Sequence, residues 1–534
     1  MPANADTCEK SKVDSNVVGL RFAEERCIGV LPDAVANSGL QDGGVWYPMA
    51  PNEYDDFGGE TQMVSRNPIN SSRQLQKGVV TDLDASGGFN QDITHGALQR
   101  MLQGFMFADA RELPDTHPIS DSTLPLISIT DVDVNTINLG TGGGAKIPVG
   151  ALLKLEGMAI GSNNQADILV TGVAGDVLTV TTLAPLTAEV ATAAARLRTV
   201  GYQFGANVAG IVFSATETLT LTRTGGDFTT EGYNVGEWIF VGGQETANRF
   251  VNNIGYARVT KIEANQLTLI EPTWLPVTEV ASAPVNLWIY RGMFLRNEKD
   301  PTLIKRRSYQ FERTLGQDVN GTQSEYLVGA VANELTLNLE TAEKMTADLS
   351  YVALDNNLRD GAQGLKPGDR TNELSNEDAF NTANDVYQLR LFVTDPLKAT
   401  PVSLYAKVME ATVNINNNVS ADRAIGDLGG FDVTTGDFEV TGEMEAYFST
   451  VEAIRAVKEN RDVGFNMIST KISENTGFVY DIPLLSLGGG RLEVEQNEPI
   501  KLPLEVSGAE NEYGYTLSIT HFNHLPDVAM ATTT

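Results

Sequence analysis

One β-rich pattern is written twice in this chain, once in the first quarter, where a long stretch cuts it open, and once without interruption at the C-terminus. The first copy runs Met63-Val-Ser-Arg-Asn-Pro-Ile69-Asn70, a polar stretch to Gly78, then Gly87-Gly88-Phe89 and a helical segment opened by Thr94. The second runs Met409-Glu-Ala-Thr-Val-Asn-Ile415-Asn416, a polar stretch to Gly426, then Gly436-Asp437-Phe438 and a helix opened by Ser449. The two spacings differ by two residues and by one, which are loop-sized differences. Each copy ends in two alternating runs. Leu335, Leu337 and Leu339, then Met345, Ala347, Leu349 and Tyr351, match Leu492 and Val494, then Ile500, Leu502, Leu504 and Val506. Period-two alternation predicts strands with one buried face, and the turn between runs predicts a hairpin. Chance alternation in two unrelated β domains is the competing explanation. Agreement of element order, Asn-bearing strand and helix position favours duplication.

The helices extend the comparison. Ala97, Leu98, Met101, Leu102 and Phe105 share one helical face, with Thr94 placed to cap it. Ser449-Thr-Val-Glu452 has capping-box spacing, and Val451 and Ile454 begin an apolar stripe.

With 534 residues there is room for three or four domains at about 100 to 200 residues each. The 50 glycines, with many Thr, Asn and Val, predict a mainly β protein. A net charge of -31 excludes a protein that grips nucleic acid by neutralising phosphates. An acidic surface instead suits a conduit along which DNA slides, or serves solubility alone. Only Cys8 and Cys27 are present, too few for a disulfide framework, so folding in a reducing cytosol is expected. The start Met1-Pro-Ala-Asn-Ala-Asp does not read as a signal peptide. No apolar run reaches the roughly 18 residues a membrane span needs, so no membrane insertion is expected.

Composition divides the chain further. Residues 1–17 read as an N-terminal arm, 18–118 as the first part of domain one, and 119–302 as an insertion of two small β modules. The modules, about 140–200 and 207–275, share landmarks: Val149-Gly150, Asn163-Asn164 and Leu178-Thr179 answer to Val235-Gly236, Asn252-Asn253 and Leu267-Thr268. Residues 303–354 close domain one, 355–384 form a polar linker, and 385–534 make domain two.

Chemical motifs fail on inspection. Gly140-Thr-Gly-Gly-Gly-Ala-Lys146 lacks the second P-loop glycine and continues into Ile147-Pro148. Asp131-Val-Asp-Val-Asn135 starts like a calcium loop, but Thr136 and Gly142 stand where Gly and Glu are required. His521 and His524 have ligand spacing without further Cys or His beside them. No catalytic residue, metal site or cofactor is predicted.

Three segments carry a resemblance to a known family. They are Arg21-Phe-Ala-Glu-Glu-Arg-Cys-Ile-Gly29-Val-Leu-Pro32, the stretch from Ser65 through Arg73 and Lys77 to Gly88-Phe89, and the block from Ala411 to Phe522. In order and twice over, they resemble the tail tube proteins of long-tailed phages with non-contractile tails. The resemblance covers about two thirds of the chain and leaves the insertion outside. It implies two tail-tube-type β-sandwich or barrel domains, each with one flanking helix, whose inner sheets join neighbours into a barrel around a DNA channel. Since the family places one domain per chain in a sixfold ring, duplication implies a homotrimer with six pseudo-equivalent positions. The implied role is a structural, non-enzymatic virion protein of the tail, assembled in the host cytoplasm, contacting other tail proteins and, transiently, double-stranded DNA. Asp82, Asp84, Asp427, Asp432 and Glu439 are then candidates to line the lumen, and Arg66, Arg73, Lys77, Arg359, Lys366 and Arg370 candidates for ring-to-ring contacts. The insertion would project outward. A carbohydrate-binding or host-adhesion protein working through the inserted modules is the alternative, favoured if Trp238 and Tyr256 cluster at an open groove.

Overall fold

A computed structural model describes residues 18–530 except 34–42, 68, 70–73, 75, 97, 117–126, 205–210, 214–218, 224–226, 280–285, 319–320, 372–376, 395–400, 406 and 449. Cys8, His117, Arg73 and Ser449 therefore fall outside the described residues. The fold is mainly β. Its frame is two series of strands. The first has β1 (Gly19–Glu24), β2 (Pro51–Arg66) and β3 (Gln76–Asp92), then α1 (Gln99–Met106), then β4 (Tyr309–Asp318), β5 (Gly321–Glu340) and β6 (Thr346–Ala353). The second has β7 (Val386–Val393), β8 (Val408–Asn416) and β9 (Glu439–Tyr447), then α2 (Glu452–Glu459), then β10 (Val463–Lys471), β11 (Thr476–Gly489) and β12 (Lys501–Gly508).

Pairing repeats in the same order. In the first series β2 pairs with β3, β3 with β6, β6 with the second half of β5, the first half of β5 with β4, and β4 with β1. In the second, β8 pairs with β9, β9 with β12, β12 with the end of β11, β11 with β10, and β10 with β7. The series meet where the second half of β5 pairs with β8, Leu335 opposite Ile415 and Leu337 opposite Val413. An eight-stranded antiparallel sheet results, in the order β2-β3-β6-β5-β8-β9-β12-β11. Alternation gives it one apolar face: Ala347, Leu349, Tyr351 and Ala353 of β6 are buried while Asp348 is exposed. That face joins one core spanning both series, from Phe89 and Leu335 to Ile415 and Leu504.

Register changes how the two halves correspond. Leu349 faces Phe89 as Leu504 faces Met444, and Tyr351 faces Gly87 as Val506 faces Gly442. Phe89 thus stands where Met444 stands, within β3, whereas Phe438 precedes β9. Ile69 is fully exposed beyond the end of β2, and Ile415 is buried in β8. The motif match had aligned polar loops, which vary freely in length, instead of strands whose pairing fixes their register. Similarly Leu492 and Val494 lie beyond β11, with Val494 exposed. The helices start later than capping signals predicted: Leu98 and Val451 occupy the N-cap positions, neither with a side-chain cap bond. Leu98, Met101, Leu102 and Phe105 are buried as one face.

The segment 355–384 is less of a free linker than its polarity predicted. Asp355–Arg359 continues the β6 ladder along β5, and Asp369–Arg370 pairs in parallel with Val45–Met49. The insertion likewise ends earlier than 302, because Met293–Arg296 pairs with Ser518–Phe522, which in turn pairs with β11. Gly292 makes that return possible, since a Cβ there would sit 2.3 Å from the His521 carbonyl oxygen.

Among the described residues the insertion forms a 13-stranded sheet of its own. In one half Thr136–Leu139, Val177–Thr181, Ile168–Ala174, Ala151–Glu156 and Arg196–Phe204 pair in succession. In the other Leu219–Thr222, Gln266–Ile270, Gly255–Glu263, Trp238–Val241 and Leu287–Tyr290 do the same. The halves join through Arg196–Phe204 and Leu287–Tyr290, so both modules reach past the bounds read from sequence. Each holds a fully buried asparagine whose side chain bonds the backbone N–H and C=O of one residue: Asn163 with Thr187 at 2.8 and 2.8 Å, and Asn253 with Val277 at 3.0 and 3.1 Å. The equivalent of Asn163 is therefore Asn253, one place from the sequence match. Trp238 and Tyr256 are fully buried and pack with Ile468, Val479, Phe522 and Leu525 of the second series, so they form no open aromatic groove.

Candidate functional site

The solvent face of the eight-stranded sheet is the most unusual surface of the chain. Its strands bring carboxylates side by side. Glu340 lies opposite Glu410, and Glu410 opposite Glu445, on β5, β8 and β9. Glu443 lies opposite Glu505 across β9 and β12, and Glu60 opposite Asp84 across β2 and β3. Like charges directly opposite destabilise a sheet. Packing alone does not account for such rows, which makes this face the candidate functional surface.

Positive charge is sparse on it, and part of it comes from outside the strands: Lys344 meets Asp92 at 2.7 Å and Arg423 meets Asp82 at 3.1 Å. The eight strands contain only Arg66 and Lys77, at the β2–β3 tip, and Lys501, at the start of β12. Lys501 meets Glu445 at 3.3 Å. Between the acids run amides and hydroxyls: Asn90 and Asn338 each donate to Asp348 at 2.6 Å, and Thr336, Thr412 and Thr441 lie in the middle. A concavity of about 610 Å³ follows this face from Thr336 to Ser507.

Asp82, Asp84 and Glu439 belong to this face by register. Asp427 and Asp432 do not. They sit in an excursion between β8 and β9, where Ser420–Arg423 pairs with Gly430–Thr434 as a separate ladder. Asp432 meets Arg306 at 3.2 Å. Their turn-like sequence gave no sign that the chain leaves the sheet there. The excursion crosses to the first series, where Arg423 reaches Asp82 at 3.1 Å and Asp84 at 3.3 Å, and Val419 and Val433 pack on Val331 and Leu354.

The basic candidates divide. Arg66 and Lys77 are exposed at the hairpin tip. Lys366 donates to Gln310 at 2.6 Å and lies over the Tyr326 ring, and burial, with Arg359 adding to it, pulls its ammonium down to about 8. Arg370 donates to the fully buried Glu312 at 3.1 Å and to the Lys366 carbonyl at 2.9 Å. Arg359 ends the strand that extends β6. Three of the six cations are thus held within the chain's own 355–384 segment.

The rejected motifs have structural occupations. Gly142 and Gly144 donate their N–H groups to the Asp176 carboxylate at 2.9 and 3.2 Å, so the glycine-rich loop already holds an anion from its own chain. His521 accepts a bond from Gln99 at 2.8 Å and stacks near His95, ring centres 4.6 Å apart, while His524 lies 3.2 Å from Asp167. Among the described residues no group of three or more His, Cys, Asp or Glu is arranged for a metal, and no helix is long and apolar enough to cross a membrane.

Fold and surface together define a mainly β protein with an acidic sheet face. The phage tail tube protein family matches residues 15–508, and the chain belongs to that family. No curated protein matches it.

Proposed function

We propose that this chain is the major tail tube subunit of a phage with a non-contractile tail. Three copies form each ring, rings stack into a tube, and the acidic sheet face lines the channel through which DNA leaves. The rows of opposed carboxylates carry this reading: a repulsive wall keeps phosphates from binding, so DNA passes without sticking. The repeated pairing order supports two tube domains per chain. Eight strands from each of three chains then occupy six pseudo-equivalent positions of a closed barrel, which leaves no open edge. The inserted sheet packs on β10, β11 and Ser518–Phe522, away from the acidic face, and so decorates the outside. Lys77, at the projecting β2–β3 tip, is placed to meet the next ring. Assembly takes place in the host cytoplasm with other tail proteins.

Negative-stain microscopy of the purified chain tests this directly. Stacked rings or tubes with three chains per ring are expected. A monomer that persists at high concentration, or rings of six chains, would overturn it.

A further inference from the structure

The seam inside the chain is a template for the seam between chains. β8 fills the edge of β5 beyond the last residue that β4 covers: β4 pairs up to Ala330, and β8 takes over from Glu334 to Glu340. In the second series β10 pairs with β11 up to Leu485, and beyond it Ser486–Gly489 has β12 on one side and no strand on the other among the described residues. The first series shows the complementary gap. β2 stands where β8 stands, yet among the described residues it pairs with β3 alone. One unfilled slot and one unpartnered edge of matching position remain per chain.

We infer that β2 of one copy pairs antiparallel with the end of β11 of a second copy, in the register of the internal seam, and that Arg66 there meets Asp437 and Glu439. This rests on the tube reading and names its contact. The register follows from positions already matched. Leu349 and Leu504 are opposite Leu335 and Gly489 respectively, so Glu334 corresponds to Gly488. Asn416 faces Glu439 as Glu60 faces Asp84, so Asn416 corresponds to Glu60. Since Glu334 pairs with Asn416 inside the chain, Gly488 pairs with Glu60 between chains.

The charge contact follows in the same way. Counting back from Phe89 and Met444, Asp82 and Asp84 correspond to Asp437 and Glu439. Arg423, which bridges Asp82 and Asp84 across the internal seam, lies seven residues beyond Asn416, and Arg66 lies six beyond Glu60. Among the described residues Arg66, Asp437 and Glu439 have no side-chain ion pair, whereas Arg423, Asp82 and Asp84 do. The second acidic pair and its arginine are left for a neighbour.

The test uses the full chain with Cys8→Ser and Cys27→Ser, adding Glu60→Cys and Gly488→Cys. Neighbouring antiparallel positions lie within disulfide reach, about 4.5 to 5.5 Å between Cα atoms. Oxidised rings should run as covalent trimers on a non-reducing gel, while Gln62→Cys with Gly488→Cys, two places out of register, should stay monomeric. Rings that form without the first crosslink, or that crosslink equally at both pairs, overturn this contact and leave the tube reading standing. A chain that forms no ring at all fails both. Arg66→Glu should reduce ring yield at least tenfold, and Asp437→Arg with Glu439→Arg in the same chain should restore it. Unchanged yield for Arg66→Glu rules out the charge contact.

Discussion

Arg258 of the inserted sheet donates to Asp481 of β11 at 3.1 Å, with both side chains buried and Glu271 at 2.5 Å on the other guanidinium nitrogen. The insertion is thereby fastened to the tube body by a buried ionic clasp, set among Trp238, Tyr256 and Phe522. Arg258→Met should deprive two buried carboxylates of their ion-pair partner and cost roughly 3–5 kcal/mol, read as a lower midpoint in denaturant. Loss below about 1 kcal/mol would show that water reaches the clasp.

Removing 119–302 as a block should give an insoluble chain. It takes away Met293–Arg296, a paired strand, and bares Ile468, Val479, Phe522 and Leu525. Soluble protein that still forms rings would show that the insertion contributes little to folding.

Acid should weaken the fold where α1 meets Ser518–Phe522. Burial, with Arg198 adding to it, lowers His521 to about 3, and burial, with His521 next, lowers His95 well below the usual imidazole value. Between the unfolded value near 6.5 and these folded values, the unfolded chain binds more protons. Stability is therefore full above about pH 6.5 and falls on acidification, by up to about 1.4 kcal/mol per pH unit for each imidazole. His521→Gln should flatten that part of the stability profile, and an unaltered slope between pH 6.5 and 4 would exclude the pair as its source.

Gly87 and Gly442 occupy matching places, but their surroundings differ. A Cβ on Gly442 would lie 2.3 Å from the Thr412 carbonyl oxygen, whereas one on Gly87 would meet Leu327 Cδ1, a movable side-chain end, at 2.5 Å. Gly442→Ala should cost about 1–3 kcal/mol and more than Gly87→Ala. Equal thermal midpoints for the two variants would contradict this.

Reversing the acidic rows should make the face that carries them bind DNA. Tubes carrying Glu410→Lys and Glu443→Lys are expected to retain short duplex DNA at about 0.05 M salt and release it on raising the salt, as counterion-linked binding demands. The unaltered tube should retain none. Retention by both would detach these rows from DNA passage.

Much of the architecture was legible in the chain. Alternation in Ala347, Leu349 and Tyr351 announced a strand with one buried face, and the apolar stripe of Leu98, Met101 and Phe105 announced α1. Correspondence between the halves was harder to read, because Phe89 and Met444 fill one position with different side chains while the loops kept misleading similarities. Asp82, Asp84 and Glu439 could be found from strand pattern, but the excursion holding Asp427 and Asp432 could not, since its departure is decided by contacts with Leu354 and Val331 far away in sequence. The clasp of Arg258 had no local signal at all. Its partners lie thirteen and 223 residues away.

The β5–β8 seam joins two parts of one polypeptide, so it closes as an intramolecular step whose effective concentration is set by the chain between Glu340 and Val408, whatever the protein concentration. In a ring of three such chains, half the seams are therefore completed before any two molecules meet. Ring nucleation then depends on the third power of concentration where a single-domain subunit would face the sixth, and no mixture of unlike neighbours can interrupt the alternation of the two domains.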